Sequence, residues 1–133
     1  MKLLLDTHIL LWWIHGDSRL SRPQEHALTQ AVSNHDDLVV SDITLWEVAM
    51  LVGLKRIKLT IPVRDWLDIA VAGPEVQRQH ITPAIAAQVA ALPDTFHRDP
   101  ADRILVSTAL VLGLPLVTSD RRIIDSQLVP VIR

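Results

Sequence analysis

Residues 2–7 read Lys2-Leu3-Leu4-Leu5-Asp6-Thr7, an apolar triplet that stops on an acid and a hydroxyl. Consecutive leucines bounded this tightly suit a strand buried on both faces, and Asp6-Thr7 marks its hand-over to a helix reaching about His15. Gly16-Asp17-Ser18 closes that helix. The same grammar recurs downstream. Leu38 to Val40 is a second short apolar run, with Ser41 or Asp42 capping a helix to Gly53, and Leu116-Val117-Thr118 is a third, ending at Ser119-Asp120. Between these runs, Ser21 with Pro23 and Glu25 opens a helix to Asn34, Lys55 to Ile61 links, and Pro62 opens a helix through Ala72. Glu75 to Ile81 alternates like a strand, Thr82-Pro83 starts a helix to about Leu92, and Asp99-Pro100 begins the last long helix, which Gly113 stops. Val129 to Ile132 is a final strand. Strands alternating with helices predict an α/β fold, a three-layer α/β/α sandwich with a mainly parallel sheet, with residues 1–133 forming one domain.

At 133 residues the chain can bury roughly two thirds of the surface its unfolded form exposes, so no staple is required. It has no cysteine, which removes disulfides, Cys-ligated zinc, iron–sulfur clusters and thiol nucleophiles together. A cytoplasmic protein is the expectation. Leu3 to Leu5 is too short for a secretory leader, and the run from Leu105 to Leu112 is too short to span a membrane. The 13 Lys and Arg against 15 Asp and Glu give a net charge of −2, so no global basic field advertises nucleic acid. The glycines, Gly16, Gly53, Gly73 and Gly113, stand singly, and no phosphate loop for ATP or a dinucleotide is present.

Four acids, Asp6, Glu47, Asp102 and Asp120, lie where an apolar segment ends or runs past. An ionised carboxylate buried alone costs several kcal/mol, so acids beside a core are paired with cations or a metal. Ligands of open parallel sheets bind outside the carboxyl ends of the strands, which places Asp6 and Asp120 at one edge by topology. Glu47 and Asp102 each keep two readings. Glu47, the only charge between Ile43 and Leu54, fits either the surface or a site one turn into a helix starting at that edge. Asp102, third in a helix capped by Asp99, is favoured by the helix dipole without any catalysis. A shared hard cation, Mg²⁺ or Mn²⁺, would account for all four: such ions take oxygen ligands, keep waters, and activate water on a phosphodiester.

The motifs Leu4-Leu5-Asp6-Thr7, Ser41-Asp42-Ile43-Thr44-Leu45-Trp46-Glu47, Asp99-Pro100-Ala101-Asp102-Arg103 and Val117-Thr118-Ser119-Asp120 resemble, in order and spacing, those of the PIN-domain family. Within it the chain resembles the VapC-like ribonuclease toxins of prokaryotic type II toxin–antitoxin pairs, over essentially its whole length. The resemblance implies an endoribonuclease that hydrolyses RNA, transfer RNA being the first to test, by water activated on Mg²⁺ or Mn²⁺. It places the catalytic and metal-binding quartet on Asp6, Glu47, Asp102 and Asp120. Asp6 and Asp102 are then the principal ligands, Glu47 a ligand or an orienter of water, and Asp120 an outer or second-site ligand. Thr7 and Ser119 become hydroxyl support, His97 and Arg103 RNA contacts, and Asp99 stays with the N-cap. A homodimer and a small antitoxin, whose C-terminal segment fills the active-site groove, are also implied.

Other signals are weaker. His8, His15, His26, His35, His80 and His97 show neither zinc spacing nor a Ser-His-Asp context. Trp12, Trp13, Trp46 and Trp66 stand at helical positions beside leucine and isoleucine; three are expected in the core, with one of the adjacent Trp12 and Trp13 at the surface. Lys55, Arg56 and Lys58 form a basic cluster that reads either as a solvated turn or as a phosphate contact. Two rival functions remain: a PIN-like scaffold that binds RNA or protein without cutting, and a phosphotransferase with Asp6 as nucleophile. The second usually needs another acid two residues on, where this chain has His8.

Overall fold

The computed structural model describes residues 1–133. In chain order the elements are β1 (Leu3–Leu5), α1 (Thr7–His15), α2 (Arg22–Ser33), β2 (Leu38–Ser41), α3 (Asp42–Gly53), α4 (Val63–Ala70), β3 (Val76–Gln79), α5 (Pro83–Ala91), α6 (Pro100–Leu112), β4 (Leu116–Val117), α7 (Arg121–Ser126) and β5 (Val131–Ile132). The strands lie in the order β3-β2-β1-β4-β5, and every pairing is parallel. The sheet is therefore wholly parallel.

Strand alternation builds the layers. Leu3 and Leu5 of β1, Leu38 and Val40 of β2, and Val117 of β4 enter one core with Ile9, Leu10, Leu28 and Trp66 from α1, α2 and α4. Leu4, Val39 and Leu116 point the other way and pack with Leu105, Val106, Ala109 and Ile123 from α6 and α7. A one-residue slip of any strand would exchange the two sets, so burial on both faces pins the register. Caps set the helix ends. Asp99 accepts from Asp102 N at 3.0 Å to open α6, and Gly113 closes it in the left-handed region at φ 66°.

Three details depart from the sequence-based expectation or add to it. Helix α7 was not foreseen; its six residues are too few to display a helical apolar stripe. The expected N-cap Ser21 closes as a capping box with Gln24, a partner the sequence reading did not name. Among the tryptophans, Trp66 is buried and Trp12 and Trp13 are both half-buried against the first core, whereas Trp46 is 51% exposed. Buried Thr44 and Val48 define the inward face of α3, and residue 46 falls opposite it at 100° per residue.

Candidate active site

The chain runs from β1 to β2 and β3 on one side, then returns to β4 on the other, so the topological switch point lies between the carboxyl ends of β1 and β4. Asp6 follows β1 there and continues the ladder, its backbone N–H donating to Val117 O at 3.0 Å. Its carboxylate is only 3% exposed. Thr7 N donates to one oxygen at 2.7 Å and the Thr118 hydroxyl to the other at 2.7 Å, while Thr118 accepts from Asp120 N at 3.0 Å. Thr118 thus connects two of the four acids. Gln24, fully buried, braces this edge from α2 by donating to Thr118 O and to Ser119 Oγ. Ser119 itself turns toward Gln24, so the hydroxyl touching Asp6 is one residue earlier than the expected support.

Asp102 reaches the same edge from α6. Its position in the first turn is set by the Asp99 cap, and it is 6% exposed. His97 Nε2 and Asp102 Oδ2 share a hydrogen bond of 2.6 Å, and Arg122 Nη2 lies 3.4 Å from both Asp102 Oδ2 and Asp120 Oδ2. Arg103 points elsewhere: it donates to the carbonyls of Phe96 and His97 at 3.0 and 3.1 Å and braces the loop that carries His97.

A cleft of about 460 Å³ gathers Asp6, Glu47, Asp102 and Asp120, together with Thr7 and Asp99. Of the residues expected to contact RNA, His97 borders a neighbouring hollow instead and Arg103 borders neither; Ser119, expected as hydroxyl support, borders neither as well. His8 and Trp12, read from the sequence without a role in the site, also face the cleft, as does Arg19, which the sequence reading did not single out; Arg56 and Lys58 of the basic cluster join them. Of these the basic cluster and the adjacent pair Trp12-Trp13 carried a signal in the sequence, and Arg19 carried none.

The electrostatics are those of a cation-deficient site. Burial pushes Asp6 up to about 6 against the hydrogen bonds from Thr118 and Thr7, and Asp120 and Asp99 add to the rise. Burial likewise takes Asp102 to about 6, opposed by His97 and reinforced by Asp6, Asp99 and Asp120. Glu47 is raised by burial and then by Asp6 and Asp102. These carboxylates cannot all ionise cheaply until positive charge arrives. No group of three acids or imidazoles is preassembled around one point. The donors are chiefly carboxylate oxygens with hydroxyls behind them, which fits a hydrated hard cation needing only one or two protein ligands rather than a fully caged one.

Fold and cleft together define a doubly wound α/β protein with a carboxylate site at its switch point. The chain belongs to the PIN domain family, whose model matches residues 3–126. It is 42% identical over 120 residues to Ribonuclease VapC22 of Mycobacterium tuberculosis, spanning 90% of this chain and 88% of that one. Its fold matches VapBC2 from Rickettsia felis, solved bound to a DNA fragment from its promoter, with TM-score 0.71 and 17% identity over 98% of this chain and 97% of that one. It also matches VapBC-1 from nontypeable Haemophilus influenzae, with TM-score 0.66 and 20% identity over 98% and 96% of the two chains. PIN-domain nucleases of this kind depend in general on a divalent metal ion.

Proposed function

We propose that this protein is the ribonuclease toxin of a toxin–antitoxin pair, an endoribonuclease that uses Mg²⁺ or Mn²⁺ and acts in the cytoplasm. The observation that carries this reading is the pair of buried carboxylates, Asp6 and Asp102, facing one cleft and both pushed up to about 6 by burial, with neighbouring acids adding to the rise. Identity of 42% to a ribonuclease over most of the chain supports it. Asp6 and Asp102 would hold the ion, Glu47 would orient a water, and Asp120 would act from the outer shell, where Arg122 already bridges it to Asp102. The bound ion supplies activation of water and neutralises charge on the phosphodiester. The residues themselves fix geometry: Thr7 N–H and Thr118 hold both oxygens of Asp6, and His97 holds one oxygen of Asp102.

Regulation follows the same surface. Leu11, Leu51, Ile57 and Leu59 give the cleft an apolar wall beside its acids, suited to a peptide segment of an antitoxin. Trp46, exposed on α3, is available to a homodimer contact. No helix is long and apolar enough to cross a membrane. The direct test is purified protein on total transfer RNA with and without chelator. Cleavage that chelator stops and Mg²⁺ or Mn²⁺ restores is expected; intact RNA under all conditions would leave the scaffold reading in its place.

A further inference from the structure

We propose that Trp12 and Arg19 form a stacking platform for one unpaired base of the RNA, setting the adjacent phosphate over the acids; this rests on the ribonuclease reading above. The Arg19 guanidinium lies over the Trp12 ring, 5.1 Å from its centroid. Asp17 clamps it there: Arg19 Nε donates to Oδ1 at 3.1 Å, Nη2 donates to Oδ2 at 2.7 Å, and the Arg19 backbone N–H donates to Oδ1 at 2.8 Å. Asp17 is placed in turn by its own N–H, which donates to Trp12 O at 2.9 Å after Gly16 reverses the chain at φ 62°. Such a clamp on a guanidinium whose side chain is 68% exposed adds little to stability, since exposed ion pairs contribute almost nothing. It does hold the guanidinium over the face of the Trp12 ring.

That pair shares the cleft with Asp6 and Asp102. His8 joins the two ends, its ring 4.9 Å from that of Trp12 and its Nδ1 3.6 Å from Asp6 Oδ2. Arg56 and Lys58 line the same cleft and offer cations to flanking phosphates. Aromatic and guanidinium planes are the means by which proteins take splayed-out bases of single-stranded RNA. A paired base, already stacked on both sides, has no free face to offer a concave site. A platform of this kind takes the base it holds only when that base is unpaired.

Two measurements test this. The first is cleavage of a short mixed-sequence RNA, alone or annealed to its complement, by wild type, Arg19→Ala, Trp12→Ala and Trp12→Phe. The single strand should be cut in preference to the duplex. Arg19→Ala and Trp12→Ala should raise KM about tenfold with kcat changed less than about twofold, while Trp12→Phe stays near wild type. The second is fluorescence anisotropy of the same labelled strand on Asp6→Asn protein, where adding Arg19→Ala should weaken Kd about tenfold. Because Arg19 is exposed, its variant reports even if Trp12→Ala loses packing and fails to fold. Unchanged KM and Kd in Arg19→Ala, or equal cutting of duplex and single strand, overturns the platform. Weakened neutralisation by the antitoxin at unchanged KM assigns these residues to the peptide partner and also overturns it. No cleavage by wild type, with Kd still sensitive to Arg19→Ala, retains the platform and rejects the ribonuclease reading.

Discussion

The two ends of the cleft treat the same functional group in opposite ways. At the inner end Asp6 is buried, its oxygens held by Thr7 N–H and Thr118, and burial pushes it up to about 6. At the rim Asp17 is solvated, and the Arg19 guanidinium beside it holds its carboxyl down to about 2. Desolvation wins where water is excluded; pairing wins where it is not. The inner end consequently keeps an unmet demand for positive charge, which a metal ion or a proton satisfies. The rim has already met its own demand and presents planes instead. On the proposed reading, chemistry and recognition are thereby separated within one cavity.

The largest expected effect is on turnover. Asp6→Ala or Asp102→Ala should lower kcat on RNA by more than about 10²-fold, beyond what loss of outer-shell support costs, whereas Arg19→Ala should leave kcat nearly intact. Saturation kinetics decide this, and an equal loss of kcat in Arg19→Ala would break the division. Next comes pH. In chelator, the folded state holds the Asp6 proton up to about 6, while the unfolded chain releases it near 3.8. Wild-type stability relative to Asp6→Asn should therefore be greatest below 3.8 and decline as pH rises through about 6, by on the order of 2–3 kcal/mol. At the rim the sign is opposite, but the Asp17–Arg19 pair is solvent-exposed, so its titration as pH falls toward about 2 should leave the unfolding profile almost unchanged. Urea unfolding across pH measures both.

Smaller effects sharpen the boundary between the ends. Thr118→Val removes the hydroxyl between Asp6 and Asp120 N–H and should cost about 1–2 kcal/mol in urea unfolding. Ser119→Ala, at an exposed position, should cost no more than about 0.5 kcal/mol. Equal costs would remove Thr118 from its connecting role.

Much of the inner end was legible in the sequence because local chemistry announces it. Leu3 to Leu5 stops at Asp6, Leu116-Val117 stops just before Thr118, and the Asp99-Pro100 cap places Asp102 one turn into α6. Parallel-sheet topology then carries the ends of β1 and β4 together, and Glu47 comes with them on the flank of buried Thr44 and Val48. The rim was not legible. Arg19 meets Trp12 only because Gly16 folds the chain back, a through-space contact that no periodicity encodes. Likewise, Gln24 reads as an ordinary helix residue until Thr118, just past β4, and Ile132 of β5 supply its acceptors, 94 and 108 residues away. Helix α7 hid behind Asp120, which reads equally well as a ligand and as the N-cap it is, accepting from Arg122 N at 2.8 Å.

The central claim is that the inner acids await a cation and the rim does not, and thermal unfolding with added Mn²⁺ tests it most directly. Binding to the folded state alone raises Tm by linkage. Wild type and Arg19→Ala should both gain Tm with Mn²⁺, and Asp6→Asn and Asp102→Asn should not. An equal gain in every variant, or none in wild type, would contradict the account.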